Sequence, residues 1–157
     1  MLTLEASNFI PAERHRVFEY VTAFCLNGEI DLSAMEQRYG RLLNREGNTF
    51  NFLEPIGGGI HWRCVFDPPR QRVMQAIDST WSDRIDSFEV ADGGTLWKIT
   101  WQLKTRGLAR FTQWLAFQLR VRRQIRANMI QPVISHFRGS GWLTGNGLPI
   151  DIAPASG

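Results

Sequence analysis

The sequence predicts an α+β domain in which a curved antiparallel sheet of about seven strands wraps around a long C-terminal helix, with two short helices after the first strand. Three observations carry this reading. Strand-like segments separated by turn signals follow one another from residue 38 to residue 104, the pattern of consecutive hairpins and therefore of an antiparallel sheet. A single helical periodicity then runs from Gly107 to Phe137, longer than any before it. Between the opening strand and the first hairpin lie two stretches with helix start and stop signals.

The opening strand is read from Leu2, Leu4 and Ala6 alternating with Thr3, Glu5 and Ser7. Pro11 suits the first turn of a helix, and Glu13 lies favourably near its positive end. Val17, Phe18, Val21 and Phe24 form an apolar stripe, which predicts a helix over 11–24 that Asn27-Gly28 ends. Residues 29–37 (EIDLSAMEQ) read as the second short helix. Strands over 38–45 and 49–54 flank a hairpin loop at Glu46-Gly47-Asn48, and the glycine-rich run Pro55 to Gly59 breaks the chain. Residues 60–66 place Ile60, Trp62, Cys64 and Phe66 on one face before Asp67-Pro68-Pro69 ends that strand. Strands over 72–79 and 83–91 follow, then a turn at Asp92-Gly93-Gly94.

In residues 95–104, Trp97, Ile99, Trp101 and Leu103 face one side and Lys98, Thr100, Gln102 and Lys104 the other, a half-buried strand with one wet face. The long helix must cover the sheet's apolar face, and Pro132 is expected to kink it. This divides the chain into a domain over 1–138 and a glycine-rich tail over 139–157. Composition predicts a mobile tail, although Trp142, Leu143, Leu148 and Ile150 give it apolar groups with which to dock.

Composition narrows the class. With 43% hydrophobic and 21% charged residues, the 157-residue chain reads as one ordinary globular domain. The N-terminal MLTLEASNF lacks the basic and apolar regions of a secretory signal, and no apolar run approaches the roughly 20 residues of a membrane span. Cys25 and Cys64 form no CxxC unit and are expected to be reduced, buried thiols, which points to the cytoplasm. The net charge of +3 hides an asymmetry. Residues 1–97 hold nine Lys/Arg against fourteen Asp/Glu, whereas Lys98 to the end holds nine against one. The basic half either forms an interaction surface or complements the acidic half within one fold.

Catalytic and metal signatures are lacking. His15, His61 and His136 have no metal spacing, and neither a GxSxG elbow nor a P-loop occurs. Gly57-Gly58-Gly59 reads as a turn between strands before an anion cradle. Cys64 shares its face with Trp62 and Phe66 and reads as an inert thiol. The strand aromatics Trp62, Phe66, Phe88, Trp97 and Trp101 fit either a packed core or the wall of a cavity.

The last helix carries four arginines and no acid between Gln113 and Met129. Projected at about 100° per residue, Phe111, Leu115, Ile125, Met129 and Val133 form the stripe that meets the sheet. Gln118, Arg122 and His136 fall inside that stripe, while Arg120, Arg123 and Arg138 point away. A charge on an apolar face is costly unless paired. Arg122 is therefore expected to have a carboxylate partner (Glu54, Asp67 or Glu89), to lie at a cavity mouth, or to meet an anionic ligand. Nucleic acid is not expected, because the aromatic strand faces lie under the helix instead of facing bases. Trp114 and Phe117, at the stripe's edge beside Arg110 and Arg120, suit an anionic membrane surface, a homodimer contact or the end of the core.

The segments ASNFIPAERHRVFEYV, FDPPRQRVMQ and FEVADGGTLWKITWQL, with the glycine-rich turn and the last amphipathic helix, resemble the START-like superfamily. That group is also known as the polyketide cyclase/dehydrase and lipid-transport, SRPBCC or helix-grip superfamily. The resemblance covers residues 1–138, and its motifs are patterns of strand and turn rather than catalytic signatures. It implies a hydrophobic small molecule (lipid, quinone or aromatic polyketide-like) held between the sheet and the last helix by a carrier or sensor. A cyclase or dehydrase acting on an aromatic polyketide-like substrate is the alternative, and a protein-interaction module with a filled cavity is a third. On this reading Trp62, Cys64, Phe66, Phe88, Trp97, Trp101, Gln118, Arg122 and Met129 are the ligand-binding positions. No catalytic residue, metal or cofactor is assigned.

Overall fold

The computed structural model describes residues 2–25, 30–55, 59–77, 82–104 and 106–139. Strand β1 (Leu2–Ile10) leads into helix α1 (Arg14–Thr22), whose Val17, Phe18 and Val21 are buried as their spacing predicts. Helix α2 (Leu32–Tyr39) starts where the Asp31 carboxylate accepts the Ala34 N–H at 3.0 Å. It ends at Gly40, whose φ of 100° and closeness to the Leu53 carbonyl leave no room for a side chain. Helix α1 is shorter than the expected 11–24, and α2 both starts and ends later than the expected 29–37, taking Arg38 and Tyr39 from the expected strand. The apolar side chains at the ends, such as Phe24, are buried from loop positions instead.

Six strands follow: β2 (Arg41–Glu46), β3 (Thr49–Glu54), β4 (Ile60–Asp67), β5 (Gln71–Ile77), β6 (Asp83–Ala91) and β7 (Gly94–Leu103). Every pairing is antiparallel, and the sheet order is β1-β7-β6-β5-β4-β3-β2. Apart from the return of β7 to β1, each neighbour in the sheet is also a neighbour in sequence, which is the consequence of short hairpins. The first hairpin turns at Gly47-Asn48, with Gly47 in the left-handed region at φ 57°.

The C-terminal helix is continuous from Gly107 to Gly139 but not uniform. Segments Gly107–Ala116, Arg122–Ile125 and Gln131–Gly139 are α-helical, and Phe117–Val121 and Arg126–Ile130 are π-helical. The second π segment ends two residues before Pro132, whose missing N–H interrupts the i→i−4 ladder at the expected kink position. Phe117, Ile125, Ile130, Val133, Ile134 and Phe137 are the helix residues buried against the sheet and α1. Trp101 lies beneath the helix, its ring 5.4 Å from that of Phe117. Aromatic packing continues through Phe18, Phe24, Phe50, Phe52, Phe66 and Phe88, all buried. Each such side chain contributes about 1.5–3 kcal/mol through burial.

Three expectations are corrected. Cys25 is exposed, although Cys64 is buried. Phe111 and Leu115, expected to meet the sheet, are exposed. Gln118, Arg122 and His136, expected in the core-facing stripe, are exposed as well. The cause lies in the two π segments, whose i→i+5 bonding widens the turn. A projection at constant pitch loses phase across them, so the buried face runs Phe117, Ile125, Ile130, Val133 and Phe137. The tail beyond Gly139, with Trp142, and the glycines at 57 and 58 lie outside the described residues.

Candidate ligand-binding site

On β5 and β6, strand alternation turns Arg72, Met74 and Ala76, and Arg84, Asp86 and Phe88, toward the concave face under the helix. The register sets Arg72 opposite Asp86 and Met74 opposite Arg84. On the next strand, Trp101 lies opposite Arg84 and Ile99 opposite Asp86. Charges at such positions persist only when paired and hydrogen-bonded. Asp86, fully buried, accepts from Arg72 Nη2 at 2.6 Å and Nε at 3.1 Å, and from Arg84 Nη2 at 2.7 Å and Nε at 3.0 Å. Trp97 Nε1 donates to the same carboxylate at 3.0 Å. Arg72 Nη1 donates to the Tyr39 hydroxyl at 2.6 Å, and that hydroxyl donates to the Thr22 carbonyl at 2.6 Å. One buried network thereby ties β5, β6 and β7 to both short helices.

Electrostatics fix the charge states. Burial alone would raise the Asp86 carboxyl, but the Arg72 and Arg84 guanidiniums beside it hold it down at about 2. Burial would lower the Arg72 guanidinium, yet Asp86 and Tyr39 raise it above its ordinary value. For Arg84 burial prevails over the attraction of Asp86, and the like charge of Arg72 adds to the lowering. Burial raises the Tyr39 phenol, which is therefore neutral, and pushes the Cys64 thiol up to about 12. Two guanidiniums share one carboxylate, so the network carries one excess positive charge.

That excess faces a cavity of about 350 Å³ between the sheet and the C-terminal helix. Arg72, Arg84, Met74 and Trp97 form its floor, and Trp62, Glu54 and Arg38 line it on the β3–β4 and α2 side. Asn128, Met129, Pro132 and Val133 of the C-terminal helix and Tyr20 of α1 close it from the other side. The Arg84 side chain is 17% exposed, and its Nη1 reaches the Met129 sulfur at 3.9 Å, a weak acceptor. Trp62 Nε1 donates to Glu54 at 2.6 Å, so the indole is fixed across the wall.

The positions named from sequence separate into three groups. Trp62, Trp97 and Met129 line the cavity together. Cys64, Phe66 and Phe88 belong to the buried core, and Trp101 is partly buried between Phe117 and Arg84. Gln118 and Arg122 lie elsewhere, in an open groove with Arg123, Arg126 and β1. Of the carboxylates weighed as partners for Arg122, Glu54 accepts from Trp62, Asp67 pairs with Arg70 at 3.2 Å, and Glu89 lines that open groove.

Sequence reasoning missed Arg72, Arg84, Asp86 and Tyr39. A signal for three of them was present. Phe88 is apolar and inward, so period 2 places Asp86 and Arg84 on its face, and a hairpin register places Arg72 across from them. Among the described residues no group of three or more His, Cys, Asp or Glu side chains could hold a metal ion. None of their helices is long and apolar enough to cross a membrane.

No protein-family model and no curated protein matches this sequence. Solved structures do match it. A protein from Thermobifida fusca is similar with a TM-score of 0.59 at 12% identity, over 87% of this chain and 93% of that one. A protein from Nitrosomonas europaea gives 0.53 at 10% identity, over 88% and 96%. One from Thermus thermophilus gives 0.51 at 15% identity, over 88% and 99%. With its seven-stranded antiparallel sheet curved around a long C-terminal helix and two short helices after β1, the chain has a helix-grip fold.

Proposed function

We propose that the protein binds an apolar small molecule with an anionic or carbonyl-bearing head group in the cavity under the C-terminal helix, as a carrier or sensor. The observation that supports this reading is Arg84, which commits Nε and Nη2 to Asp86 and directs Nη1 toward the cavity side of Met129. A guanidinium held in this way is an oriented donor whose positive charge its carboxylate partner only partly cancels. Trp62, Trp97, Met74 and Met129 supply the apolar wall, and the volume lies within the range of small-molecule sites. A free fatty acid or a quinone has the required shape and polarity. Cyclase or dehydrase chemistry would draw on acid-base groups facing the cavity, but Tyr39 is neutral with its hydroxyl both donating and accepting, and the Glu54 carboxylate is engaged by Trp62 Nε1. Binding is therefore favoured over catalysis.

Native mass spectrometry of the purified protein, with solvent extraction of any retained compound, tests the reading directly. Anilinonaphthalene sulfonate, an aromatic anion, serves as a solution probe. Arg84→Met should weaken its binding more than about tenfold, near 1.4 kcal/mol, while the protein stays folded. Equal probe affinity in the two proteins, with no compound retained, would overturn the reading.

A further inference from the structure

We propose that the outer face of the C-terminal helix, from Leu108 to Arg126, docks on the surface of an anionic lipid bilayer. The face begins with Leu108, Phe111, Leu115 and Leu119, which are 78%, 57%, 41% and 65% exposed. Leu108, Phe111 and Leu115, spaced three and four residues apart in the α-helical first segment, share one stripe, and Leu119 follows within the π segment. Half of the protein's exposed large hydrophobic side chains, as found among the described residues, are therefore gathered on three turns of one helix. Arg122, Arg123 and Arg126 follow next along the helix and are exposed too. The stretch is about 27 Å long, and the whole helix contains no acidic residue.

Charge and polarity choose the occupant. Beside the stripe, Arg122, Arg123, Arg126 and Lys98 line an open groove with Glu5 and Glu89, four positive groups against two negative. Lys98 pairs with Glu5 at 3.2 Å, so the surplus belongs to the arginines. An apolar stripe that runs into a basic one suits a bilayer interface, where side chains enter the acyl boundary and guanidiniums meet lipid phosphates. A second copy fits less well. Apposed in either direction, two such helices offer the arginines no acidic partner, since residues 107–139 contain no Asp or Glu. A nucleic acid backbone would leave the leucines wet against phosphate. This surface is separate from the cavity, so the proposal does not depend on what the cavity holds.

The full-length chain is sedimented with vesicles of phosphatidylcholine alone and of phosphatidylcholine mixed with phosphatidylglycerol. Binding to the anionic vesicles alone is expected, and added salt should weaken it. Phe111→Ser with Leu119→Ser, and separately Arg122→Gln with Arg123→Gln and Arg126→Gln, should each reduce partitioning more than about tenfold. Circular dichroism and the Arg84-dependent binding of anilinonaphthalene sulfonate should not change, because these side chains are exposed and outside the cavity. Three results would overturn the proposal: no vesicle binding, equal binding to both vesicle types, or indifference to the arginine changes. A dimer in light scattering that is lost with Phe111→Ser and Leu119→Ser, without vesicle binding, would make a second copy the occupant. Vesicle binding that arises only when the chain is ended at Gly139 would assign the face to the tail.

Discussion

Arg72 and Arg84 stand on neighbouring strands beneath the C-terminal helix, whereas Arg122, Arg123 and Arg126 stand on the outside of that helix. The two sets have the same chemistry and opposite physical circumstances. The inner pair is largely buried and fixed by a shared carboxylate, with every bond between 2.6 and 3.1 Å. The outer set keeps its hydration and its rotameric freedom. Buried charge becomes geometry, able to orient one head group. Exposed charge remains a field, able to attract a surface of opposite sign but not to select a ligand.

The sharpest way to break this contrast is to remove the carboxylate that defines the inner set. Asp86→Asn keeps the shape but leaves two guanidiniums sharing a neutral partner. A loss of about 3–5 kcal/mol in urea-induced unfolding is expected, the usual cost of orphaning a buried charge. A cost below about 1 kcal/mol would mean that water reaches the network and that the inner arginines resemble the outer ones.

Acid titration addresses the same carboxylate without mutation. The Asp86 carboxyl lies at about 2 in the folded protein against an ordinary 3.8. Its folded value is depressed, so its contribution is complete above the unfolded value and is lost as pH falls through the folded one. Stability should therefore decline by about 2 kcal/mol between about pH 4 and pH 2, and Asp86→Asn should flatten that part of the curve. Arg84→Met is milder than Asp86→Asn in stability, because Asp86 retains Arg72 and Trp97 as donors. Binding and stability should thus separate at Arg84 and fall together at Asp86.

Much of the fold was legible in the sequence because it rests on local rules. Alternation in residues 95–104 identified the buried face of β7, and Glu46-Gly47-Asn48 and Asp92-Gly93-Gly94 located two hairpin turns. The wall of the cavity was legible in part: Trp62, Trp97 and Met129 emerged from face and phase. Its polar floor was not. Arg72 and Asp86 are 14 residues apart and meet only through the β5–β6 register, so neither strand alone distinguishes a buried ion pair from two solvated charges. Arg122 shows the complementary failure. A constant pitch from Phe111 places it inward, and the π segment Phe117–Val121, which no residue pattern announces, turns it outward.

The smallest expected effect tests that outward turn. Arg122 is exposed and lies in an open groove formed with β1, away from Arg84 and the cavity. Arg122→Met should therefore change unfolding stability by no more than about 0.5 kcal/mol, as is usual for a surface site. Affinity for anilinonaphthalene sulfonate should stay within about twofold, less than 0.5 kcal/mol. Association with anionic vesicles should fall modestly, since one of three arginines is removed and each contributes about 1 kcal/mol near a charged surface. An inward Arg122 would behave otherwise. Its loss would either destabilise the fold by several kcal/mol through an orphaned carboxylate or cost the cavity its anion. Measuring Arg122→Met beside Arg84→Met thus decides which arginine faces the cavity: a loss of probe binding at residue 122 that matched the loss at residue 84 would return the helix to a constant pitch and put the two arginines in one site.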